Sequence, residues 1–260
     1  MTPLDQTHAA MDAAPEDDAA RLRFYERLAD AELFLLLSKE PEGDSISPEL
    51  FDLSDHSFVL VFDTEERLGT FVGKPAPYAA LSGRVISSML AGQNIGLGLN
   101  LEVAPSSILI PPEALKWLAE TLTNTPDEVE ATPQEFTAPA GLPENLVTAL
   151  DQKLSTAAGL AKMAYLVGVS YDTGSQSHML GFVEAIPDAQ SALAKAVSEA
   201  LTFSGIEAGA LDVGFFAASD PVAAQMARVG LRFDLPELAK PQEYVPVTPG
   251  SDPDNPPKLR

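Results

Sequence analysis

The sequence contains no cysteine, which excludes disulfide bonds, thiolate metal sites and cysteine nucleophiles and fits a reducing compartment. Only three histidines are present, so histidine-based catalysis or metal binding has few candidates. No apolar run approaches the roughly 18–20 residues that a membrane-spanning helix needs. The first residues do not combine a basic region with an apolar one, as a signal peptide would. We therefore expect a cytoplasmic protein without membrane association.

Basic residues are scarce, with 16 Lys and Arg against 38 Asp and Glu, and the net charge is −22. Such a surface repels phosphate backbones, so the composition argues against nucleic-acid binding. A charged protein partner, whose identity the sequence does not indicate, is expected to be basic. The alternative is that acidity is common to the proteins of the same source and has no specific function in this one.

The remaining composition is that of a globular protein, with 45% apolar residues, enough for one large or two small cores. Three segments lack apolar periodicity and are predicted to be a disordered tail (1–15), an acidic, proline-rich linker (123–142) and a proline-rich tail (241–260). Proline disfavours helix at the preceding residue and lacks an amide donor. The segments between them, 16–122 and 143–240, are the predicted domains.

Apolar patterns predict both helices and strands in each domain. In the first domain, Leu33–Leu37 reads as a buried strand, and Glu49–Leu53 with Ser57–Phe62 as a strand pair. In the second domain the order is α-β-β-α-β-α with a short strand at Leu231–Phe233, which suggests one sheet with helices on one face. The predicted fold class is therefore α+β (mixed α/β), as two small sheet-and-helix domains.

The stretch AGQNIGLGLNL (91–101) has the glycine content of a phosphate-binding loop but not its context. Such a loop lies between a strand and a following helix, whose free amides face the anion. Here the helix comes first: Ser82 is a good N-cap for a helix that buries its four apolar residues and stops near Gly92. These four are Val85, Ile86, Met89 and Leu90. Gly96 and Gly98 then alternate with apolar residues, as in a strand. No nucleotide or other cofactor is predicted.

Four short stretches between Phe58 and Trp117 resemble the N-terminal domain of the SseB family, the enhanced serine sensitivity proteins. They are VFDTEE (61–66), YAALSGR (78–84), LGLN (97–100) and IPPE (110–113). Residues 143–235 resemble the family's C-terminal domain more weakly, through Met163–Leu166 and the order of elements. The resemblance implies a two-domain protein and supplies no catalytic residues.

No catalytic or metal-binding motif identifies a reaction. The sequence lacks the serine-hydrolase motif GxSxG and the zinc motif HExxH. Gly168–Asp172 resembles the first motif but lacks its last glycine. A triad through His56 or His178 stays open, as does a metal site of Asp52, Asp55, His56 and Asp63 if the hairpin brings them together. A solvated acidic rim is the simpler interpretation of these carboxylates.

Ser82, Gly83 and Arg84 are the predicted ligand-binding group, completed by Asn100 and Ser106 in a neighbouring turn. A helix start offers free amides to an anion, and Arg84 adds a fixed positive charge. The simpler interpretation, which we favour, is that Ser82 caps its helix and Arg84 pairs with a nearby acid.

The functional prediction is a non-enzymatic cytoplasmic protein of the SseB type that acts as a protein-interaction or regulatory module. The alternative is a sensor that binds a small, amino-acid-like carboxylate near Arg84. An enzyme remains a third class, which no residue pattern supports.

Overall fold

The computed structural model describes residues 1–43, 45–53, 56–124, 126, 132–206 and 211–238. Within these residues the chain forms eight α-helices and eleven strands, and the strands make two mixed sheets. The α+β prediction is confirmed, since each sheet is covered by helices of its own part of the chain. Of the other predictions, the tail at 241–260 and Asp55 lie outside the described residues.

The first half of the chain builds a six-stranded sheet. Its elements are α1 (Pro3–Ala13), α2 (Asp18–Asp30), β1 (Glu32–Leu36), β2 (Leu50–Leu53), β3 (His56–Phe62), α3 (Glu65–Val72), β4 (Tyr78–Ser82), α4 (Gly83–Leu90), β5 (Ile95–Leu99), β6 (Ile108–Ile110) and α5 (Pro112–Thr123). The strand order is β4-β1-β3-β5-β6, with β2 paired to β3 as predicted. Helices α2, α4 and α5 bury one face of this sheet, and α3 packs on the other.

The glycine-rich stretch forms the end of α4 and the strand β5, which confirms its interpretation as structural. Gly92 has φ +80°, the left-handed conformation that lets the chain leave the helix. A Cβ at Gly96 would lie 2.4 Å from the Phe58 ring, and one at Gly98 would lie 2.7 Å from the Leu60 side chain. Glycine is therefore required there by close packing between strands. Ile86 and Leu90 are buried as predicted, whereas Val85 is exposed and Met89 is half-buried.

The prediction of a disordered tail at 1–15 is wrong, since residues 3–13 form helix α1. Thr2 and Asp5 make a reciprocal capping box at its start, and Pro3 occupies the first helical position. Leu4 and Asp5 are buried. The segment has little apolar periodicity because its buried residues are in the first turn and are held by residues far away in the sequence, while beyond that turn Met11 and His8 only partly pack against the core.

The second half builds a five-stranded sheet with the order β10-β9-β8-β11 and with β7 paired to β8. Its elements are β7 (Pro133–Thr137), α6 (Glu144–Ser155), β8 (Met163–Tyr171), β9 (Gln176–Val183), α7 (Gln190–Phe203), β10 (Asp212–Phe216), α8 (Pro221–Val229) and β11 (Leu231–Asp234). The predicted hairpin and the short last strand are both present. The predicted linker, 123–142, is not wholly a linker, because β7 lies inside it.

Helices cover both faces of the second sheet, so the prediction of helices on one face is wrong. Helices α6 and α7 pack on one face, where Leu166 and Phe182 are fully buried. Helix α8 packs on the other face through Met226, which lies against Gly181. Strand β8 is buried on both sides, and its nearly continuous apolar sequence is typical of a central strand.

The two halves share apolar packing. Phe203, at the end of α7 in the second half, is buried among the core residues of the first half. The Trp117 ring on α5 meets Phe203 edge-on at 6.3 Å and Tyr25 on α2 at 5.5 Å. Trp117 itself is 38% exposed. The only tryptophan therefore lies at the junction of the two halves.

Candidate functional site

The start of α4 is arranged as a capped and tightly packed helix end. The Ser82 hydroxyl accepts a hydrogen bond from the Val85 amide at 3.3 Å, and the Gly83 amide donates to the Ala31 carbonyl at 2.9 Å. A Cβ at Gly83 would lie only 1.9 Å from the Leu28 carbonyl oxygen. The amides of Gly83 and Val85, which an anion would need, therefore already donate hydrogen bonds within the protein. Glycine is present at position 83 because α2 packs directly against it.

The structure does not bring Asn100 and Ser106 to Arg84, which corrects the prediction of one five-residue pocket. Strands β4 and β5 are separated by β1 and β3, a lateral distance of about 14 Å at the usual strand spacing. Asn100 is fully buried, where its side chain accepts from the Asp63 amide and donates to the Ser106 hydroxyl. Ser106 in turn donates to Asp5 at 2.6 Å.

This second group of polar residues is a buried anchor for α1. The Arg67 guanidinium pairs with Asp5 at 2.6 Å and with Asp63 at 2.7 Å. The Thr2 hydroxyl donates to Asp63. Burial by itself raises the pKa of Asp5, but the hydrogen bonds from Arg67 and Ser106 outweigh it and hold the pKa well below its usual value. The group fixes an ionised carboxylate in the core.

Arg84 pairs with carboxylates, as the simpler interpretation predicted. Its guanidinium donates to Glu199 on α7 at 2.6 Å and to Asp30 at the end of α2 at 2.7 Å. Glu199 is 115 positions away in the sequence and belongs to the second half of the chain. The ion pair therefore ties the two halves together.

Lys153 on α6 extends this group into a five-residue cluster, which we call the junction cluster. Its ammonium lies 2.6 Å from Asp30, 3.1 Å from Glu199 and 3.4 Å from Glu26. The Lys153 side chain is only 9% exposed. The junction cluster thus consists of Glu26, Asp30, Arg84, Lys153 and Glu199, with two cations among three carboxylates.

Burial and charge act in opposite directions on the acids of the junction cluster. Burial raises the pKa of Asp30 and of Glu199, but the charges and hydrogen bonds of Lys153 and Arg84 lower both below their usual values. For Glu26 burial outweighs the charge of Lys153, and its pKa is raised. The pKa of Lys153 is raised, because the three carboxylates outweigh the effect of its burial. The two acids closest to the cations therefore stay ionised at neutral pH.

A cavity of about 520 Å³ lies beside the junction cluster, between α2, α6 and α7. Five of the 16 basic residues of the chain line it: Arg23, Arg27, Arg84, Lys153 and Lys195. Three carboxylates share the wall, and all three belong to the junction cluster. Alanine and leucine side chains from α7 and from the segment after α6 complete it. In a protein of net charge −22, this cavity carries an excess of positive charge.

Sequence reasoning missed Arg23, Arg27 and Lys195, although one signal was present. Arg23 and Arg27 are four residues apart in a predicted helix, so they share one helix face. In a chain with so few basic residues, two on one face stand out. No local pattern predicts that Lys195 lines the cavity, because it reaches the cavity only through the packing of α7 against α2.

The structure separates the residues of the alternative metal site and gives His178 a backbone partner. His56 begins β3 and Asp63 follows its last residue, so at about 3.3 Å per residue the two lie about 23 Å apart, and the alternative site of four residues does not form. Among the residues that the structure describes, no group of three His, Asp or Glu side chains is placed to hold a metal ion. The His178 ring lies 3.0 Å from the Ala140 carbonyl oxygen.

No helix in the described ranges is long and apolar enough to cross a membrane.

Comparison with known proteins assigns a family to the first half of the chain. No curated protein and no solved structure matches the chain. Residues 7–117, which include α2, the six-stranded sheet and the first half of α5, match the family described as SseB protein N-terminal domain. This part of the chain is therefore an N-terminal domain of the SseB family.

Proposed function

We propose that the protein is a non-enzymatic binding protein that takes a small carboxylate, such as an amino acid, into the cavity between its two halves. The observation that carries this proposal is the gathering of five of 16 basic residues around one cavity. The net charge of −22 disfavours anions over most of the protein surface, and the basic wall attracts them locally. A cavity of about 520 Å³ is within the size range of small-molecule sites.

The role of Arg84 in this proposal differs from the one that the sequence suggested. Its guanidinium already holds Glu199 and Asp30, so it supports the wall and does not lead recognition. Arg23, Arg27 and Lys195 are the cations that would meet the ligand. The aliphatic part of the ligand would lie against Ala157 and Leu160, which follow α6, and against the apolar residues of α7.

The ionisation of Asp30 and Glu199 supports binding without catalysis. General acid–base catalysis works best when the pKa of the acting group lies near the working pH. The pKa values of Asp30 and Glu199 are instead lowered by their ion pairs, so both acids stay ionised. Only Glu26, which pairs with Lys153 at 3.4 Å, has its pKa raised by burial among the three acids of the wall. Incubation with a bound carboxylate, followed by NMR of the small molecule, should return the ligand unchanged. Conversion of the ligand would contradict this part of the proposal.

Thermal unfolding with a ligand panel tests the proposed function. A ligand that binds only the native state at a hundred times its Kd stabilises it by about 2.7 kcal/mol. For a chain of this size that corresponds to a rise in Tm of roughly 5–10 °C. We expect such a rise with carboxylates, including L-serine and butyrate, and none with the diamine putrescine as the matched cationic control. No rise with any anion at 10 mM, on the order of ten times a millimolar Kd, would contradict the proposal.

A second candidate function is regulation of a basic protein partner in the cytoplasm, and the charge distribution favours it. With five basic residues around the cavity, eleven remain elsewhere against 35 acids, counting the whole sequence. The absence of cysteine fits a reducing compartment. Fluorescence anisotropy with a labelled lysine-rich peptide should show binding that weakens steeply with salt. An acidic peptide of equal length is the control, and equal binding of both peptides would count against this function.

A further inference from the structure

We infer that the cavity between the halves selects a ligand with at least two negative charges, a dicarboxylate or a phosphate, over a zwitterionic amino acid. This inference rests on the proposed function, because it concerns the same cavity. It follows from which charged side chains of the cavity wall already pair with one another and which do not.

The acids of the wall are already engaged by cations of the same wall. Glu26, Asp30 and Glu199 each lie within 3.4 Å of the Lys153 ammonium, and two of them also bind Arg84. These are all the carboxylates on the cavity wall, as far as the described residues show, and the five cations of the wall outnumber them by two. An incoming ammonium group would have to compete with Lys153 and Arg84 for a counter-ion. An amino acid would therefore bind through its carboxylate alone, while its ammonium group meets a wall of net positive charge.

Three cations of the wall remain available. Arg27 and Lys195 form no ion pair with any carboxylate in the described part of the chain. Arg23 approaches only Asp17, at 3.8 Å, and its side chain is 44% exposed. These three cations, which we call the open cations, come from α2 in the first half and from α7 in the second.

The placement of the open cations favours two anionic groups on one ligand. Arg23 and Arg27 stand one helical turn apart on the same face of α2, and Lys195 faces them from α7. A monocarboxylate would leave part of this charge uncompensated. A dicarboxylate or a phosphate neutralises charge from both helices at once, and charge-assisted hydrogen bonds are the strong ones. Thr7, Gln152 and Thr156 supply neutral hydrogen-bonding groups on the same wall.

Isothermal titration of the full chain at low salt compares four probes of defined charge. Succinate and inorganic phosphate are the polyvalent anions, butyrate the monovalent one and L-serine the zwitterion. We expect succinate, phosphate or both to bind at least about tenfold more tightly than butyrate and L-serine, since each charged contact adds roughly tenfold. Whichever of the first two binds more tightly identifies the source of the charge as carboxylate or phosphate.

The outcomes separate the inference from the function on which it rests. If L-serine or butyrate binds as tightly as succinate and phosphate, the charge preference is wrong and the proposed function survives. If none of the four probes binds, both are wrong. Tighter binding of succinate supports both, whereas binding of phosphate without any carboxylate supports the charge preference and contradicts the proposed carboxylate function.

Matched substitutions locate the binding. Arg27→Gln and Lys195→Gln should each weaken the tighter-binding polyvalent anion about tenfold and leave the unliganded Tm nearly unchanged, since neither residue makes an ion pair in the described structure. Arg21→Gln, on the same helix but paired with Asp18, and Lys116→Gln on α5 are the controls, because both side chains lie away from the cavity. If the controls weaken binding as much as the cavity variants, the anion is held by general charge attraction and the assigned site is wrong.

Discussion

Replacement of Lys153 by methionine removes the central charge of the junction cluster and keeps most of the aliphatic stem. Its ammonium is the one group that touches all three carboxylates, and the side chain is 9% exposed. After the change, Arg84 still pairs with Asp30 and Glu199, and Glu26 loses its ion pair. Breaking a buried ion pair by removing one partner costs about 3–5 kcal/mol, because the other charge stays buried without compensation. For a chain of this size, the expected loss in Tm is roughly 6–20 °C.

The pH dependence gives this substitution a signature that loss of packing does not share. In the native protein the pKa values of Asp30 and Glu199 are lowered, so their contribution to stability is present at neutral pH and is lost as the pH falls through their folded-state pKa values. In Lys153→Met the same acids lack their main cation, so we expect their pKa values to rise. The stability difference between the two proteins should therefore shrink from pH 7 to about pH 4.

Urea unfolding followed by circular dichroism and by the fluorescence of Trp117 measures both effects. Trp117 reports on the junction, because it contacts Tyr25 on α2 and Phe203 on α7. Lys116→Met is the control, since the Lys116 side chain is 63% exposed and its pair with Glu120 spans 3.8 Å; its cost should stay within about 0.5 kcal/mol. A loss below about 1 kcal/mol for Lys153→Met that does not vary with pH would refute the reasoning.

Three further substitutions test the packing that positions the cavity and the first sheet. Gly83→Ala should lower the free energy of unfolding, measured in urea, by about 3 kcal/mol, because the new Cβ would lie 1.9 Å from the Leu28 carbonyl oxygen. Gly69→Ala is its control: nothing lies within 4 Å of the added Cβ, so this change should cost nothing or stabilise the helix. Gly96→Ala should cost about 1–3 kcal/mol by the same measurement, since the Phe58 ring must move. Arg67→Met should free α1, seen as proteolytic cleavage near residue 13 at neutral pH; an intact N-terminus in that assay would show that the ion pairs with Asp5 and Asp63 do not anchor the helix.

Most elements of the fold were predictable because their causes are local. Ser82 as an N-cap, the stop at Gly92 and the alternation through β5 follow from residues within a few positions of each other. The hairpin of β8 and β9 likewise follows from two apolar runs around a short turn. In each case the pattern and the tertiary structure require the same conformation.

The errors lie where the cause is distant in the sequence. Helix α1 is anchored through Asp5 and Arg67, which are 62 positions apart, and its own sequence is nearly featureless. Strand β7 is held in its conformation by pairing with β8, and it has too few apolar residues to be predicted as a strand from the sequence. The five-residue pocket failed for a related reason, since strand order, which the sequence does not display, sets the lateral distance between Arg84 and Asn100.

The candidate site shows the same division. Local reasoning found Arg84 and favoured an ion pair for it, but the partner Glu199 is identified only once the two halves are packed together. The cavity likewise exists only between α2, α6 and α7. Arg27 and Lys195 become neighbours through tertiary packing alone, which explains why no sequence motif marks the site.

A crystal structure of the full chain grown with succinate would show whether the cavity holds a dianion. We expect density for the dianion in the cavity between α2, α6 and α7, within hydrogen-bonding distance of Arg27 and Lys195, with the Arg84–Glu199 pair intact. An empty cavity at a succinate concentration that raises the Tm, with the dianion bound elsewhere, would contradict it.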